Sequence, residues 1–182
     1  MSDNLSEKKL TSKTIFEGRI FSIYYDTVEL PDGNVAGREL LRHRGAVCII
    51  PVTDDGKVII EKQFRYPVDQ IITEIPAGKL DFKAEPRLDA AKRELKEETG
   101  YTAEQWTDLG SFYPAPAYSD EYITMFLAQG LKKGSQILDK DEFLDVAEVP
   151  LTDLVKEVML GHIPDAKTQI AILKAAIYLG KY

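Results

Sequence analysis

Residues 74–101 read EIPAGKLDFKAEPRLDAAKRELKEETGY, and within this stretch the pattern of the sequence changes from that of a strand to that of a helix. A strand-like run ends near Ile75, and a turn follows that finishes at Gly78. After the turn the apolar residues recur at a period of about 3.6, which predicts a helix over residues 86–99. Gly100 directly after this helix suits the left-handed conformation of a C-cap. The stretch therefore predicts a strand, a tight turn and an amphipathic helix in succession.

The predicted helix has two distinct faces. The apolar face, which we expect to pack on a sheet, carries Leu88, Ala91 and Leu95. The adjoining arc carries three carboxylates at positions i, i+3 and i+4, namely Glu94, Glu97 and Glu98. Taken alone, such an acidic arc is typical of a solvated face whose repulsion is relieved by neighbouring basic residues. The arc decides function only if a wider pattern accompanies it.

Short β-rich runs separated by turns occupy most of the remaining chain. The predicted strands span residues 20–30, 38–43, 46–53, 58–64, 70–75, 106–113, 122–128 and 143–149. Gly33 supplies the turn of the first hairpin, and the continuous apolar run after Ala46 predicts a central strand covered on both faces. Two helices close the chain. The second is expected to turn Ile170, Leu173 and Ile177 inward. These elements predict an α/β fold with helices on a mixed sheet.

Composition and charge limit the possible functions. The 182 residues suffice for one compact domain and leave little room for a second. With 23 basic and 30 acidic residues the net charge is −7, a sign that repels nucleic acid. Residues 1–12 do not resemble a signal peptide, and no apolar run approaches the roughly 20 residues that span a bilayer. We therefore expect a cytoplasmic protein that binds neither nucleic acid nor membrane, with Cys48 as a buried thiol.

A wider pattern around the acidic arc resembles the Nudix box. Its members here are Gly78, Glu85, Arg93-Glu94, Glu97-Glu98 and Gly100. Six residues separate Gly78 from Glu85 where the consensus has five, and Tyr101 stands where an aliphatic residue is usual. The insertion lies in the loop before the helix and leaves the helical register of the box intact. Residues 63–65, 74–78, 119–121 and 165–168 further resemble the ADP-ribose and nucleoside diphosphate sugar pyrophosphatase branch of the Nudix hydrolase family.

The resemblance implies an architecture and an assembly. We expect a Nudix-like α/β/α sandwich with a mixed β-sheet, plus an N-terminal antiparallel β-strand region. The implied boundaries are a flexible N-terminus over residues 1–12, a dimerising strand region over 13–44 and a Nudix hydrolase domain over 45–182. Members of this branch usually form homodimers with exchanged N-terminal strands, which implies that Glu39 serves the site of the partner.

The resemblance also implies a cation site. Glu94 and Glu98 are the principal metal ligands that it implies, with Glu97 as a direct or water-mediated ligand and the backbone carbonyl of Ala77 as a further one. Arg93 is expected to hold the glutamates in position through charge-assisted hydrogen bonds. Hard cations with oxygen ligands, Mg²⁺ or Mn²⁺, would then neutralise the charge of a diphosphate substrate.

Hydrolysis also requires a general base. In this branch the base is typically a glutamate on a loop after the box, and we assign Glu142, with Asp141 and Asp139 as substitutes. Glu97 and Arg93 complete the predicted catalytic set. An ordinary solvated acidic turn is the alternative interpretation of residues 139–142.

Four further residues are candidates for substrate binding. Arg65 could grip a phosphate bidentately, although a surface ion pair explains it equally well. Glu39 and Glu74 could accept hydrogen bonds from the base and a ribose, and Pro116 resembles a marker of ADP-ribose-directed members. Each of these also fits an ordinary strand or loop position. His43 and His162 lack the spacing of a zinc site and are expected to be structural.

The sequence thus predicts a metal-dependent pyrophosphohydrolase. It would cleave ADP-ribose or a related nucleoside diphosphate sugar to a nucleoside monophosphate and a sugar phosphate. One alternative is a preference for GDP-mannose, other sugar nucleotides or a dinucleoside substrate, because pocket loops decide that choice. The other is a non-catalytic module that binds a nucleotide or a protein partner, against which the intact acidic cluster argues.

Overall fold

The computed structural model describes residues 5–138, 140 and 142–181. Its strands are β1 Lys8–Glu17, β2 Ser22–Glu29, β3 Val35–Arg42, β4 Ala46–Pro51, β5 Lys57–Arg65, β6 Gln70–Glu74, β7 Ala77–Lys79, β8 Tyr101–Phe112, β9 Ile123–Lys133 and β10 Leu144–Pro150. Its helices are α1 Arg87–Thr99, α2 Leu151–Met159 and α3 Ala166–Leu179. The chain divides into two compact units. The first runs up to Gly45 and includes Tyr113–Tyr122, and the second contains the remainder.

The first unit is built on an antiparallel sheet in the order β1-β2-β3. Gly33 has a φ of 85° at the turn between β2 and β3, as its position in the hairpin predicts. β1 begins at Lys8, inside the stretch predicted to be flexible. Its residues are exposed, so the strand lacks the apolar alternation that identifies strands in a sequence and is held instead by its ladder with β2.

The second unit contains two sheets. The order β7-β4-β9-β8 forms a mixed sheet in which β4 and β9 are parallel and the other pairs are antiparallel. The order β10-β5-β6 forms an antiparallel sheet. β8 begins at Tyr101, five residues before the predicted strand, because its first half pairs with the far end of β9 despite its polar sequence.

β4 lies at the centre of the second unit, and all six of its residues are buried. Cys48 and Ile50 pack into one apolar cluster with α2 and α3, whereas Val47 and Ile49 pack into another with α1. Successive side chains of a strand point to opposite faces, so β4 joins the two clusters back to back. The helix–sheet–helix layering and the N-terminal antiparallel strands confirm the predicted fold class.

α1 follows its prediction closely. Ala91 and Leu95 are fully buried, and Leu88 packs partly buried against the same cluster. The helix ends at Gly100, whose φ of 76° gives the left-handed C-cap. Ala90 is also fully buried, and two adjacent alanines let the helix axis approach the sheet closely.

α3 departs from the predicted orientation. Ile177, which we expected to face inward, is 70% exposed, while Ile170 and Leu173 are only partly buried against the core. The buried face consists instead of Thr168, Ala171, Ile172, Ala175 and Ala176. Small residues permit close packing on the sheet, so the periodicity of the large aliphatic residues indicated the wrong face. None of the helices in the described ranges is long and apolar enough to cross a bilayer.

Cys48 provides a test of the central strand. Its side chain is fully buried, and burial raises the pKa of the thiol to about 12. Because the thiolate is the reactive form, we expect Ellman's reagent at about pH 8 to leave the native protein unlabelled. The same reagent should label the single cysteine once guanidinium unfolds the chain. Labelling of native and unfolded protein at equal rates would contradict a closed core around β4.

Candidate active site

A cavity of about 100 Å³ opens beside the acidic arc of α1. It is lined by Ala77, Gly78, Lys79, Asp81, Arg93, Glu94, Glu97, Glu98, Ile137 and Glu142. The wall therefore brings together the residues predicted as metal ligands and those predicted as catalytic. They come from the short strand β7, from one face of α1 and from the segment before β10. These elements are separate in sequence and meet only in the folded chain.

Gly78 lies against the carboxyl group of Glu94. A Cβ atom at Gly78 would come within 2.0 Å of Cδ and 2.1 Å of Oε1 of Glu94, well inside van der Waals contact. Glycine is therefore required at this position by the close approach of β7 to α1. The same approach brings the backbone of β7 next to two buried glutamates.

Arg93 holds the acidic arc together. Its Nη1 donates to Glu94 at 2.7 Å and to Glu97 at 3.2 Å, and its Nη2 donates to the carbonyl of Lys79 at 3.4 Å. Burial opposes the charged form, but the charge of Glu94 raises the pKa of Arg93 above its ordinary value. The planar guanidinium thus links β7 to both carboxylates in the position predicted for it.

Glu85 has a structural role in this arrangement. Its carboxylate accepts the backbone N–H of Asp81 at 2.8 Å and three weaker hydrogen bonds from Arg93, each at 3.4 Å. The side chain is 10% exposed and closes the loop between β7 and α1. The extra residue of this loop is accommodated by that local closure, while Glu85 still contacts Arg93.

Glu98 is the most deeply buried carboxylate of the cavity wall, at 5% exposure. Its Oε2 accepts the backbone N–H of Ala77 at 2.9 Å. Burial, together with the charges of Glu61 and Glu94, raises the pKa of Glu98 to about 10. Burial also raises the pKa of Glu94, with the charge of Arg93 opposing it. Two adjacent buried carboxylates therefore favour a compensating positive charge.

The residues present fit a hard divalent cation. Glu94 and Glu98 offer buried carboxylate oxygens on the same wall as the backbone of Ala77, and oxygen ligands are those that Mg²⁺ and Mn²⁺ prefer. Within the described ranges, no three His, Cys, Asp or Glu side chains are grouped closely enough to hold a cation in the conformations seen. Arg93 engages Glu94 and Glu97 directly, so these carboxylates must reorient to act as ligands together.

Arg65 forms an ion pair, as its alternative interpretation allowed, and the partner is the buried carboxylate of Glu74. Arg65 donates to both oxygens of Glu74, at 2.6 and 2.8 Å, and Lys167 donates to Glu74 and, at 3.0 Å, to Asp165. Burial favours the neutral acid, but the hydrogen bonds from Arg65 and the charge of Lys167 lower the pKa of Glu74 below its ordinary value. Both oxygens of Glu74, predicted to bind a ribose, are engaged within the protein.

Glu61 on β5 is a charged residue that the sequence analysis passed over. It is 3% exposed, and its Oε1 accepts no hydrogen bond from the residues described. Burial, together with the charge of Glu74, raises the pKa of Glu61 to about 8. The available signal was a single glutamate that directly follows the apolar run Val58, Ile59 and Ile60.

The predicted general base and the two remaining candidates for substrate binding lie in different parts of the chain. Glu142 is half-buried on the cavity wall, whereas the two substitute bases, Asp139 and Asp141, lie outside the described residues. In the first unit, Glu39 is an exposed residue of β3 opposite Tyr25, and Pro116 is exposed in a turn.

The two histidines make local contacts. In the first unit, Nδ1 of His43 accepts the backbone N–H of Gly45 at 3.1 Å and lies 3.7 Å from Oε1 of Glu121. In the second unit, Nδ1 of His162 lies 2.9 Å from Oε2 of Glu157.

Comparison with known proteins gives two domain matches. Residues 42–169 match the NUDIX domain, and residues 7–41 match the nucleoside diphosphate sugar hydrolase N-terminal domain. The chain is 46% identical over 171 residues to the ADP-ribose pyrophosphatase of Bacillus subtilis (strain 168), covering 93% of this chain and 92% of that protein. It is 41% identical over 174 residues to the methanol dehydrogenase activator of Bacillus methanolicus, covering 94% of each.

A solved structure shares the fold. The crystal structure of an ADP compounds hydrolase superimposes with a TM-score of 0.85 at 24% sequence identity, and the match covers 100% of both chains. The similarity in fold therefore covers the residues of both compact units.

Gly78→Ala tests the contact between β7 and Glu94. The added methyl group must displace the Glu94 carboxylate, so we expect Mn²⁺ affinity, measured by calorimetry, to fall about tenfold or more. Gly161→Ala is the control because its Cβ would meet nothing within 4 Å, although its φ of 76° should cost roughly 1 kcal/mol of stability. Equal Mn²⁺ affinity in the Gly78→Ala variant and the unmodified protein would contradict the role of this contact.

Proposed function

Because the chain belongs to the NUDIX family of hydrolases, we propose that it hydrolyses the diphosphate bridge of ADP-ribose or a related nucleoside diphosphate sugar with the help of Mg²⁺ or Mn²⁺. The observation that carries the proposal is the pair of buried carboxylates, Glu94 and Glu98, on the wall of a cavity where Arg93 and the N–H of Ala77 hold them. Such a pair can hold a cation for the hydrolysis of a charged phosphoric anhydride and contributes nothing to apolar packing.

The choice of substrate rests on similarity. The relative that is 46% identical is named ADP-ribose pyrophosphatase, and the N-terminal match is to a domain of nucleoside diphosphate sugar hydrolases. Water would add to one phosphorus, the bridging P–O bond would break, and the products would be AMP and ribose 5-phosphate. A preference for GDP-mannose or another sugar nucleotide is the second candidate, since the N-terminal match names the whole substrate class.

The proposed reaction assigns different roles to the side chains around the cavity. A bound divalent cation supplies positive charge that offsets the diphosphate and acidifies water. Glu94 and Glu98, with the carbonyl of Ala77, would hold it, and Glu97 would contribute directly or through water. Arg93 keeps the glutamates in register through its hydrogen bonds. Glu142, which lines the same cavity, would take the proton of the attacking water.

The substrate would be held by groups outside the acidic arc. Arg65 retains 41% exposure of its side chain while Glu74 fixes its orientation, which suits it to a phosphate oxygen. We propose that Glu74 acts on the substrate through Arg65, and that Glu39 and Pro116 contribute to recognition of the nucleoside. We also propose a homodimer and a cytoplasmic location.

A substrate panel tests the proposed activity. We expect release of AMP from ADP-ribose to exceed hydrolysis of GDP-mannose and a dinucleoside diphosphate, with Mg²⁺ or Mn²⁺ required. Glu98→Gln should lower kcat by at least about a hundredfold with the fold intact by circular dichroism, because a metal ligand is lost. Isotopically labelled water identifies the attacked phosphorus. Binding of ADP-ribose without any product would support the non-catalytic alternative and overturn the proposal.

Glu142→Gln tests the general base. The substitution removes the proton acceptor but leaves the carboxylates of α1 in place, so we expect kcat to fall about a hundredfold or more with Mn²⁺ affinity nearly unchanged. Glu104→Gln on the exposed face of β8 removes the same charge away from the cavity and should leave both quantities unchanged. Full activity of Glu142→Gln would move the role to Asp139 or Asp141, which the corresponding asparagine variants then separate.

A further inference from the structure

Glu61 occupies an unusual position for a charged residue. It lies in the middle of β5, between β10 and β6, and only 3% of it is exposed. Its Oε1 accepts no hydrogen bond within the part of the chain that the structure describes. A buried carboxylate oxygen without a donor is costly, so natural proteins retain one mainly where a proton, a water or a cation completes it.

The strand geometry turns Glu61 toward α1. Ile59, two residues earlier on β5, packs in the cluster that contains the apolar face of α1, whereas Val58 and Ile60 pack in the opposite cluster. Because side chains alternate along a strand, Glu61 shares the face of Ile59. That face is the one on which α1 packs, and Glu94 and Glu98 are buried residues of α1.

The electrostatics identify the neighbour of Glu61. Among the charged groups, Glu61 raises the pKa of Glu98 most. Its effect exceeds that of Glu94, although Glu94 lies one turn away on the same helix. Glu142, the proposed base, also acts on Glu61. The influence of Glu61 on Glu98 agrees with the strand geometry, which turns Glu61 to the face of β5 that α1 covers, although Glu61 is not among the residues that line the cavity.

The basic residues nearby are already engaged. Arg65 donates to both oxygens of Glu74, and Lys167 donates to Glu74 and Asp165. Their charges lower the pKa of Glu61 only partly, because its pKa remains well above the ordinary value. Neither residue forms an ion pair with Glu61 in the structure, which leaves the pair of Glu61 and Glu98 without a matching positive charge.

We propose that Glu61 contributes its buried carboxylate oxygen, directly or through one water, to the divalent cation held by Glu98. This inference deepens the proposed function and rests on it. Glu61 would add a ligand from β5 to those of α1 and β7, so that three elements of the second unit converge on one cation. Direct carboxylate ligands raise affinity and fix the position of the ion relative to Glu142.

The competing explanation is a shared proton. Glu61 and Glu98 could form an acid–carboxylate pair that needs no metal, as two close carboxylates commonly do. The two explanations differ in their response to Glu61→Gln. A glutamine amide can donate to Glu98 and would preserve or increase cation affinity if the pair only shares a proton. It would reduce cation affinity if Glu61 is a ligand.

Mn²⁺ binding to the full chain without substrate decides between them. We expect calorimetry and Mn²⁺ electron paramagnetic resonance to give a dissociation constant about tenfold or more weaker for Glu61→Gln than for the unmodified protein. Glu98→Gln should weaken binding at least as much, and Glu104→Gln should bind normally. Unchanged or tighter Mn²⁺ binding by a folded Glu61→Gln variant overturns the proposal.

A measurement on the unmodified protein covers the case in which Glu61→Gln does not fold. Anomalous scattering from Mn²⁺ in crystals should place the ion about 2.2 Å from a Glu61 oxygen, or about 4 Å away with one bridging water. An ion on Glu98 but distant from Glu61 overturns the Glu61 assignment and leaves the proposed function standing. Absence of both Mn²⁺ binding and hydrolysis in the unmodified protein overturns the proposed function as well.

Discussion

The close approach of β7 to the acidic arc of α1 is the constraint on which the rest of the site depends. Gly78 leaves only enough space for the Glu94 carboxylate, and the next residue back, Ala77, gives its N–H to Glu98. Both contacts require the helix to lie close enough to the strand for the carboxylates of Glu94 and Glu98 to reach its backbone. The fully buried Ala90 and Ala91 allow this proximity, because larger residues there would hold the helix away from the sheet. Core packing and site geometry are thus two consequences of one helix position.

The sequence predicted the parts of the site that are close together along the chain. The spacing of Glu94, Glu97 and Glu98 fixes their common arc, and the C-cap at Gly100 follows from the same helical period. Resemblance to the Nudix box supplied Arg93 and Gly78. What it could not supply was the tertiary contact that makes Gly78 necessary, since nothing in the sequence gives the distance from β7 to α1.

The features missed arise from long-range contacts or from weak local signals. Lys167 meets Glu74 across 93 positions of sequence, and β1 is held by its ladder rather than by apolar alternation. Ile177 was misassigned because large aliphatic residues dominate a periodicity estimate, whereas the sheet beneath α3 accepts alanines. Glu61 offered a visible signal inside the predicted strand over residues 58–64, but a glutamate is rarely buried without a partner, so the sequence did not indicate its burial.

The distribution of charge explains why the protein can act on an anionic substrate. Among the described residues near the site, buried carboxylates belong to Glu61, Glu74, Glu94 and Glu98, and basic side chains to Arg65, Lys79, Arg93 and Lys167. Arg65 and Lys167 lower the pKa of Glu74, which they contact directly, whereas the pKa values of Glu61 and Glu98 stay raised. The shortage of positive charge is therefore localised at one pair of carboxylates. A diphosphate would increase it, and the cation proposed at that pair would offset the repulsion between the substrate and the acidic wall.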